Sequence, residues 1–286
     1  MIADPPTTLD QLRLTAVERL TAAEVDAPRL AAEVVLAHVL EISRAQLLVR
    51  PDVPLTPDQL ARAQRDLDRL ANQEPLAYVV GHREFYDVDL LTDARALIPR
   101  PETECLVEHA LKALAHHPAP LIADVGTGCG AIAVTLARHL PHAQVIATDL
   151  SSDALELARE NAQRLGVAAR ISFRLGSLLE PIAESIDLLA ANLPYIEDKD
   201  WPYLAKTIRR HEPRMAFLGG LDGLDLVSGL LRDAPRVTHL DSIILLEIGA
   251  HHGDAVTAIA RQNFPRAYIE IKPDYAGLDR LAVIEV

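Results

Sequence analysis

The chain has 286 residues, 49% of them hydrophobic, and a formal charge of −13. That length allows one large or two modest domains with a sizeable core, and the acidic balance argues against duplex DNA as a partner, which a basic face would attract. Two cysteines are too few for a disulfide framework, no apolar run reaches membrane-spanning length, and MIADPPTTLD lacks the basic-then-apolar pattern of a signal peptide, so a soluble cytoplasmic protein is expected.

Residues 1–73 are predicted to form a small all-helical domain. Thr8 can cap a helix through Leu20, and Asp26-Ala27-Pro28 opens a second one through about Leu40, with proline in its first turn. Ser43–Leu48 suggests a short helix. Thr56-Pro57-Asp58 opens a longer one, with Leu60, Ala63, Leu67 and Leu70 on one face. Nothing in this stretch resembles a catalytic cluster, and its expected role is packing and substrate recognition. Residues 74–104 read as a linker with a short β-hairpin, in which Val79-Val80 and Phe85–Leu90 alternate and Gly81 lies in the turn region. Glu102 begins a helix through about Ala115.

Residues 105–286 are expected to form a second, catalytic domain. Leu121–Val125, Val145–Thr148, Ile171–Leu175, Ile186–Ala191 and Ile243–Ile248 are apolar strand candidates. They alternate with helices over 130–140, 152–165 and about 223–233, so a mostly parallel sheet with helices on both faces follows. Ala267–Ile271 and Leu281–Val286 are joined by too short a segment for a crossover helix and should pair antiparallel.

Two strand ends carry chemistry. Asp124-Val125-Gly126-Thr127-Gly128-Cys129-Gly130 joins a strand to a helix. Its glycines let the backbone turn sharply and approach a ligand, and the next helix presents free N–H groups. Asp149 ends the following strand, where its carboxylate can accept from both hydroxyls of a ribose. A nucleoside-containing cofactor is therefore expected. Gly126, Gly128 and Ala131 also satisfy the dinucleotide fingerprint. S-adenosylmethionine is favoured by the position of Asp124, which can engage an amino-acid end directly or through water, and by the antiparallel end of the sheet. Asn192-Leu193-Pro194-Tyr195 ends another buried strand. Pro194 stops the ladder and keeps Leu193 extended. The Asn192 side chain and the Leu193 carbonyl can accept hydrogen bonds from a planar NH2 group, and Tyr195 can cover its π face. The eleven histidines show no ligand spacing, so no metal site is expected.

In this combination the chain resembles the HemK/PrmC-type glutamine methyltransferases of peptide chain release factors. The matching segments run in order: Glu74–Tyr78, Gly81 with Glu84-Phe85-Tyr86, Leu97–Glu104, Asp124–Gly130, Asn192–Tyr195, Glu212-Pro213-Arg214 with Gly219–Leu224, and Leu246–Gly249. The least generic are Ile-Pro-Arg-Pro-Glu-Thr and Glu-Pro-Arg…Gly-Gly-x-Asp-Gly-Leu. The resemblance implies a seven-stranded Rossmann-like S-adenosylmethionine-dependent methyltransferase fold behind the helical domain. It implies S-adenosylmethionine as donor and the glutamine of a release factor's Gly-Gly-Gln motif as acceptor. By position it places Asp124 and Gly126, Thr127, Gly128, Cys129 and Gly130 around the methionine part, Asp149 at the ribose, and Ser177 and Leu178 beside the adenine. Asn192, Leu193 through its carbonyl, Pro194 and Tyr195 would hold the acceptor, and Asn192 would also border the cofactor. The chain departs from the family at Leu193, where proline is usual, and at Ser177, where an acidic residue is common. Arg100 and Glu102 would either touch the protein substrate or lock the linker. A monomer that binds neither DNA nor membrane is expected. The competing readings are a ribosomal-protein glutamine methyltransferase, a DNA adenine-amino methyltransferase, and a non-catalytic S-adenosylmethionine-binding protein.

Overall fold

The computed structural model describes residues 8–49 and 53–286. The first seven residues, part of the stretch without a signal-peptide pattern, lie outside them. Thr8 caps α1 (Leu9–Ala22), its hydroxyl accepting from the Gln11 N–H. α2 (Pro28–Leu40) starts on its proline, α3 (Arg44–Val49) is short, and α4 (Pro57–Ala71) begins with a reciprocal Thr56–Gln59 capping box. The apolar stripes of these helices converge. Leu12, Leu20, Leu36, Ala63, Leu67 and Leu70 share one core.

The next segment corrects the expected strand at Val79-Val80. Leu76–Val80 is a helical turn, α5, and Gly81 is its left-handed C-cap (φ +81°) rather than a hairpin residue. The reason is tertiary. The Arg69 guanidinium, paired with Glu74, donates to the Tyr78 and Val79 carbonyls at 3.0 and 3.1 Å, satisfying helix-end acceptors that a strand would turn elsewhere. The hairpin follows as β1 (His82–Phe85) and β2 (Val88–Leu91), turning at Tyr86 (φ +58°) and Asp87.

A single 3₁₀ turn over Pro101–Thr103 leads into α6 (Glu104–Ala113). Strand and helix then alternate: β3 (Leu121–Val125), α7 (Ala131–His139), β4 (Gln144–Asp149), α8 (Ser152–Arg164), β5 (Ile171–Leu175) and β6 (Ile186–Ala191). After α9 (Lys206–His211) and α10 (Asp225–Asp233) come β7 (Thr238–Glu247), α11 (Gly253–Asn263), β8 (Tyr268–Pro273) and β9 (Asp279–Glu285). The seven-stranded sheet has the order β5-β4-β3-β6-β7-β9-β8. Its first five strands are parallel, and β9 pairs antiparallel with both β7 and β8. Helices α6, α7 and α8 bury one face, around Leu106, Leu136 and Leu157. Helices α10 and α11 bury the other, around Leu230 and Val256. This is the expected α/β methyltransferase-type sheet.

The chain forms two compact units. One holds the helices of residues 8–49 and 53–81 together with residues 205–211, and the other holds residues 82–204 and 212–286. The hairpin and the segment after it thus group with the sheet.

Candidate active site

Strands β3, β4 and β5 progress toward one sheet edge, whereas β6 lies on the other side of β3. The switch point of the topology is therefore the gap between the carboxyl ends of β3 and β6, where α/β sheets bind ligands. A cleft of about 1140 Å³, counted to its open mouth, occupies this place. The register sets Val125 beside Ala191, so the glycine loop and the Asn192 segment leave the sheet as neighbours.

Gly126, Gly128 and Gly130 have φ of +73°, +56° and +87°, a left-handed path that a side chain would strain. A Cβ on Gly126 would come 3.0 Å from the Leu193 side chain, so the close approach of the two loops needs glycine there. Gly130 is the N-cap residue of α7, and a Cβ on it would lie 3.1 Å from Ala158 of α8. Asp149 lines the cleft. Its two oxygens accept from the Gly128 and Ser151 N–H groups at 2.9 Å each. Burial pushes this carboxyl up, while those backbone donors pull it down. Each oxygen keeps a lone pair for a further donor. Asp124 does not line the cleft. It is fully buried beneath the loop, where Oδ2 accepts from the Thr127 hydroxyl (2.6 Å) and the Ala133 N–H (3.0 Å). Burial pushes it up to about 7, and its Oδ1 has no partner among the described residues. A glycine cradle beside a strand-end carboxylate with free lone pairs fits a ligand with a ribose, while Asp124, sealed beneath the loop, does not reach the cleft directly. The Cys129 thiol is pushed up to about 12 by burial and is not a thiolate. Ser177 and Leu178 line the far wall, and the strained Leu178 (φ +48°) is tied to the Thr148 hydroxyl through its carbonyl.

At the other end, Asn192, Leu193 and Pro194 line the cleft. The Asn192 Nδ2 donates to the Thr103 hydroxyl at 2.9 Å, and Thr103 donates to Glu247 Oε2 at 2.6 Å. Neither the Asn192 Oδ1 nor the Leu193 carbonyl takes a donor among the described residues. Tyr195 lies behind them rather than in the lining. Its half-buried phenol donates to Glu247 Oε1 at 3.3 Å and accepts from Arg280 at 3.3 Å. The expectation that its ring covers a bound amide is not carried by this geometry.

The two least generic sequence segments brace this corner. Glu212, almost wholly buried, accepts from the Ile98 N–H (3.1 Å) and from Arg100 (2.6 Å). Arg100 therefore locks its own segment. Gly219 runs against the Asn192 segment: Ile196 donates to the Phe217 carbonyl at 2.8 Å, and Gly219 donates to that of Ile196 at 2.9 Å. A Cβ on Gly219 would come 2.5 Å from the Pro194 carbonyl oxygen. Asn161, Thr103 and Glu247 are site residues to which sequence reasoning assigned no role. Asn161 binds the Leu91 N–H and C=O and the Cys129 carbonyl, tying the hairpin to the glycine loop. The signals for Glu247 were a carboxylate inside the apolar Leu245–Ile248 run and its place in the matching segment Leu246–Gly249.

Known proteins show the same organisation. Residues 11–81 match the family model of the PrmC N-terminal domain, and residues 122–212 match that of a methyltransferase domain. The catalytic domain of hMettl16, solved in complex with the MAT2A 3'UTR hairpin 6, superposes with a TM-score of 0.53 at 14% identity. It covers 83% of this chain and 85% of its own, a likeness of fold alone. The release factor glutamine methyltransferase of Moorella thermoacetica is 43% identical over 274 residues, 96% of each chain. That of Nitratidesulfovibrio vulgaris is 39% identical over 96% of this chain and 93% of its own. Identity at this level across both units means that the chain belongs to the release factor glutamine methyltransferase family.

Proposed function

We propose that the protein transfers a methyl group from S-adenosylmethionine to the side-chain amide nitrogen of the glutamine in the Gly-Gly-Gln motif of peptide chain release factors, modulating translation termination. What supports this reading is that Asn192 and Leu193 line the same cleft as Asp149, and that neither the Asn192 Oδ1 nor the Leu193 carbonyl takes a donor among the described residues. Gly126–Gly130, Asp149, Ser177 and Leu178 would hold the cofactor, with Asp124 acting from beneath the loop. Bound S-adenosylmethionine supplies an electrophilic methyl group on a sulfonium.

The chain's own part is positioning. An amide nitrogen is a poor nucleophile, because its lone pair is delocalised into the carbonyl. Two acceptors that take its two N–H bonds fix its direction, and such in-line placement can be worth roughly 7–11 kcal/mol. As the nitrogen gains positive charge, the same acceptors bind it more strongly, which stabilises the transition state over the ground state. The amide proton becomes acidic only after transfer, so no general base is needed. Leu193 in place of the usual proline keeps the carbonyl on which the role depends, and Pro194 still restrains its backbone.

The helical domain, residues 1–73 with the hairpin segment 74–104 between it and the catalytic domain 105–286, is assigned to release-factor recognition. Support for a protein acceptor rather than duplex DNA comes from the −13 formal charge. A monomer working in the reducing cytoplasm suits the buried free thiols of Cys105 and Cys129. The experiment is to mix the purified protein, labelled S-adenosylmethionine and a release factor, beside a release factor whose motif glutamine is alanine. Label is expected on the first alone. Equal labelling of both refutes the acceptor.

A further inference from the structure

Asn192 is useful to an NH2 donor only if its oxygen, not its nitrogen, faces the cleft. The two ends of an amide have nearly the same shape, so something must choose between them. The choice is made by residues outside the Asn-Leu-Pro-Tyr segment, Thr103 on the cleft lining and Glu247 buried behind it.

Thr103 has one hydroxyl hydrogen. It lies on the 2.6 Å bond to Glu247 Oε2, so the same oxygen can only accept from Asn192. The group that Asn192 turns inward must therefore be its NH2, at the observed 2.9 Å. A flipped amide would set Oδ1 against the Thr103 oxygen, acceptor on acceptor. The reverse polarity would require Glu247 to donate. An ionised Glu247 has no proton to give, and the Tyr195 donor on its other oxygen and the positive charge of Arg280, which donates to that same phenol, favour the ionised form. Arg280 is itself held by the Ile248 carbonyl (3.2 Å) and by Asp274 (3.2 Å). Thr103 and Glu247 are both buried, so water cannot readily replace either partner.

We propose that Thr103 and Glu247 form a polarity relay that holds the Asn192 amide oxygen toward the substrate, so that the site accepts an NH2 group and rejects a carboxylate at the same position. This rests on the proposed transfer to glutamine and assigns the choice of glutamine over glutamate to two positioning residues. Neither need touch the substrate.

The test uses the full-length protein, a release factor, and the same release factor with glutamate in place of the motif glutamine. Thr103→Val keeps the shape but removes the acceptor, freeing the amide to turn. It is expected to lower kcat by roughly 10–100-fold with the S-adenosylmethionine Kd unchanged. It should also narrow the ratio of release-factor Kd values for the glutamate and glutamine forms. Thr103→Ser restores the hydroxyl and should restore both kcat and that ratio. Glu247→Gln can present either amide end to Thr103 and should fall between these two, giving a second reading if Thr103→Val folds poorly. The relay is overturned if Thr103→Val keeps the wild-type kcat and discrimination, or if Thr103→Ser loses as much as Thr103→Val. A wild-type protein that labels no release factor overturns the acceptor assignment and the relay with it, an outcome distinct from normal wild-type transfer with unaffected variants.

Discussion

At the residue scale, the parts that could be read in the sequence are those whose chemistry is local. Asp149 ends an apolar strand, and Asn192 ends another just before a proline, so both announce themselves. Asn192→Ala removes the open acceptor and should cut turnover by roughly 10²–10³-fold while calorimetry finds cofactor binding intact. Thr103 and Glu247 lie in matching segments, but their roles were not legible, because positions 103, 192 and 247 meet only in the folded chain. Burial pushes Glu247 up to about 7. Thr103, Arg280 and Tyr195 favour its charged form, whereas Glu102 opposes it, and the Cys105 thiol feels its charge. The relay needs the carboxylate, so kcat should rise with pH through about 7, and Glu247→Gln should flatten that limb. Stability runs the other way. Asp124 has an ordinary value of 3.8, which burial raises to about 7 in the folded state. Between those values the native state binds more protons than the unfolded chain, so stability falls as pH rises through the window. Each such group contributes a slope of roughly 1 kcal/mol per pH unit. Asp124→Asn keeps an acceptor for Thr127 and Ala133 but cannot titrate. Urea unfolding from about pH 5 to about pH 7 should show its slope shallower than wild type by that amount.

At the element scale, hydrophobic pattern was enough where strands are buried on both faces. β3 and β6 read as largely aliphatic runs, broken by Asp124 and Asp187, because helices cover both sides of the sheet there, whereas the edge strand β5 is only partly buried. It failed where tertiary contacts decide. Val79-Val80 has strand chemistry but is helical, because Arg69 collects the carbonyls of that turn. α11 was missed because only Gly253, Val256 and Ala260 are buried along it, a stripe too thin to detect. The segment Gly219–Leu224 was recognisable as a motif, but its purpose emerges from packing. Gly223 has φ +75°, and a Cβ on it would run into the Tyr195 carbonyl. Gly223→Ala must therefore strain its own backbone and displace the segment that presents Asn192. The cost should be about 1–3 kcal/mol in thermal or urea unfolding, accompanied by a kcat loss larger than the stability loss explains. Gly277, also at positive φ but with nothing near its Cβ position, is the control. Gly277→Ala should affect stability only and leave kcat at the wild-type value.

At the scale of the whole molecule, three hydrophobic cores are built from separate sets of residues, one helical and one on each side of the sheet. Their division along the chain could not be read in advance. Residues 205–211 group with the helices of residues 8–81 although more than a hundred residues separate them, and no local pattern signals such a contact. Every residue lining the cleft belongs to the sheet-containing unit. Ligand stabilisation acts only on equilibria in which the site is lost, with a gain of about 2.7 kcal/mol at a hundredfold excess over Kd. Saturating S-adenosylmethionine should therefore slow amide exchange strongly over 123–130, 148–151 and 176–178 and through the strands that carry them. Over α1, α2 and α4 exchange should stay at its ligand-free rate, provided those helices open without disrupting the sheet. Peptide-resolved hydrogen exchange with and without the cofactor decides this. Equal protection of both units would mean that the helical unit unfolds only together with the catalytic one, so that the two units form one cooperative block. Protection confined to the sheet unit leaves the helices free to respond to the protein substrate alone, as a recognition domain should.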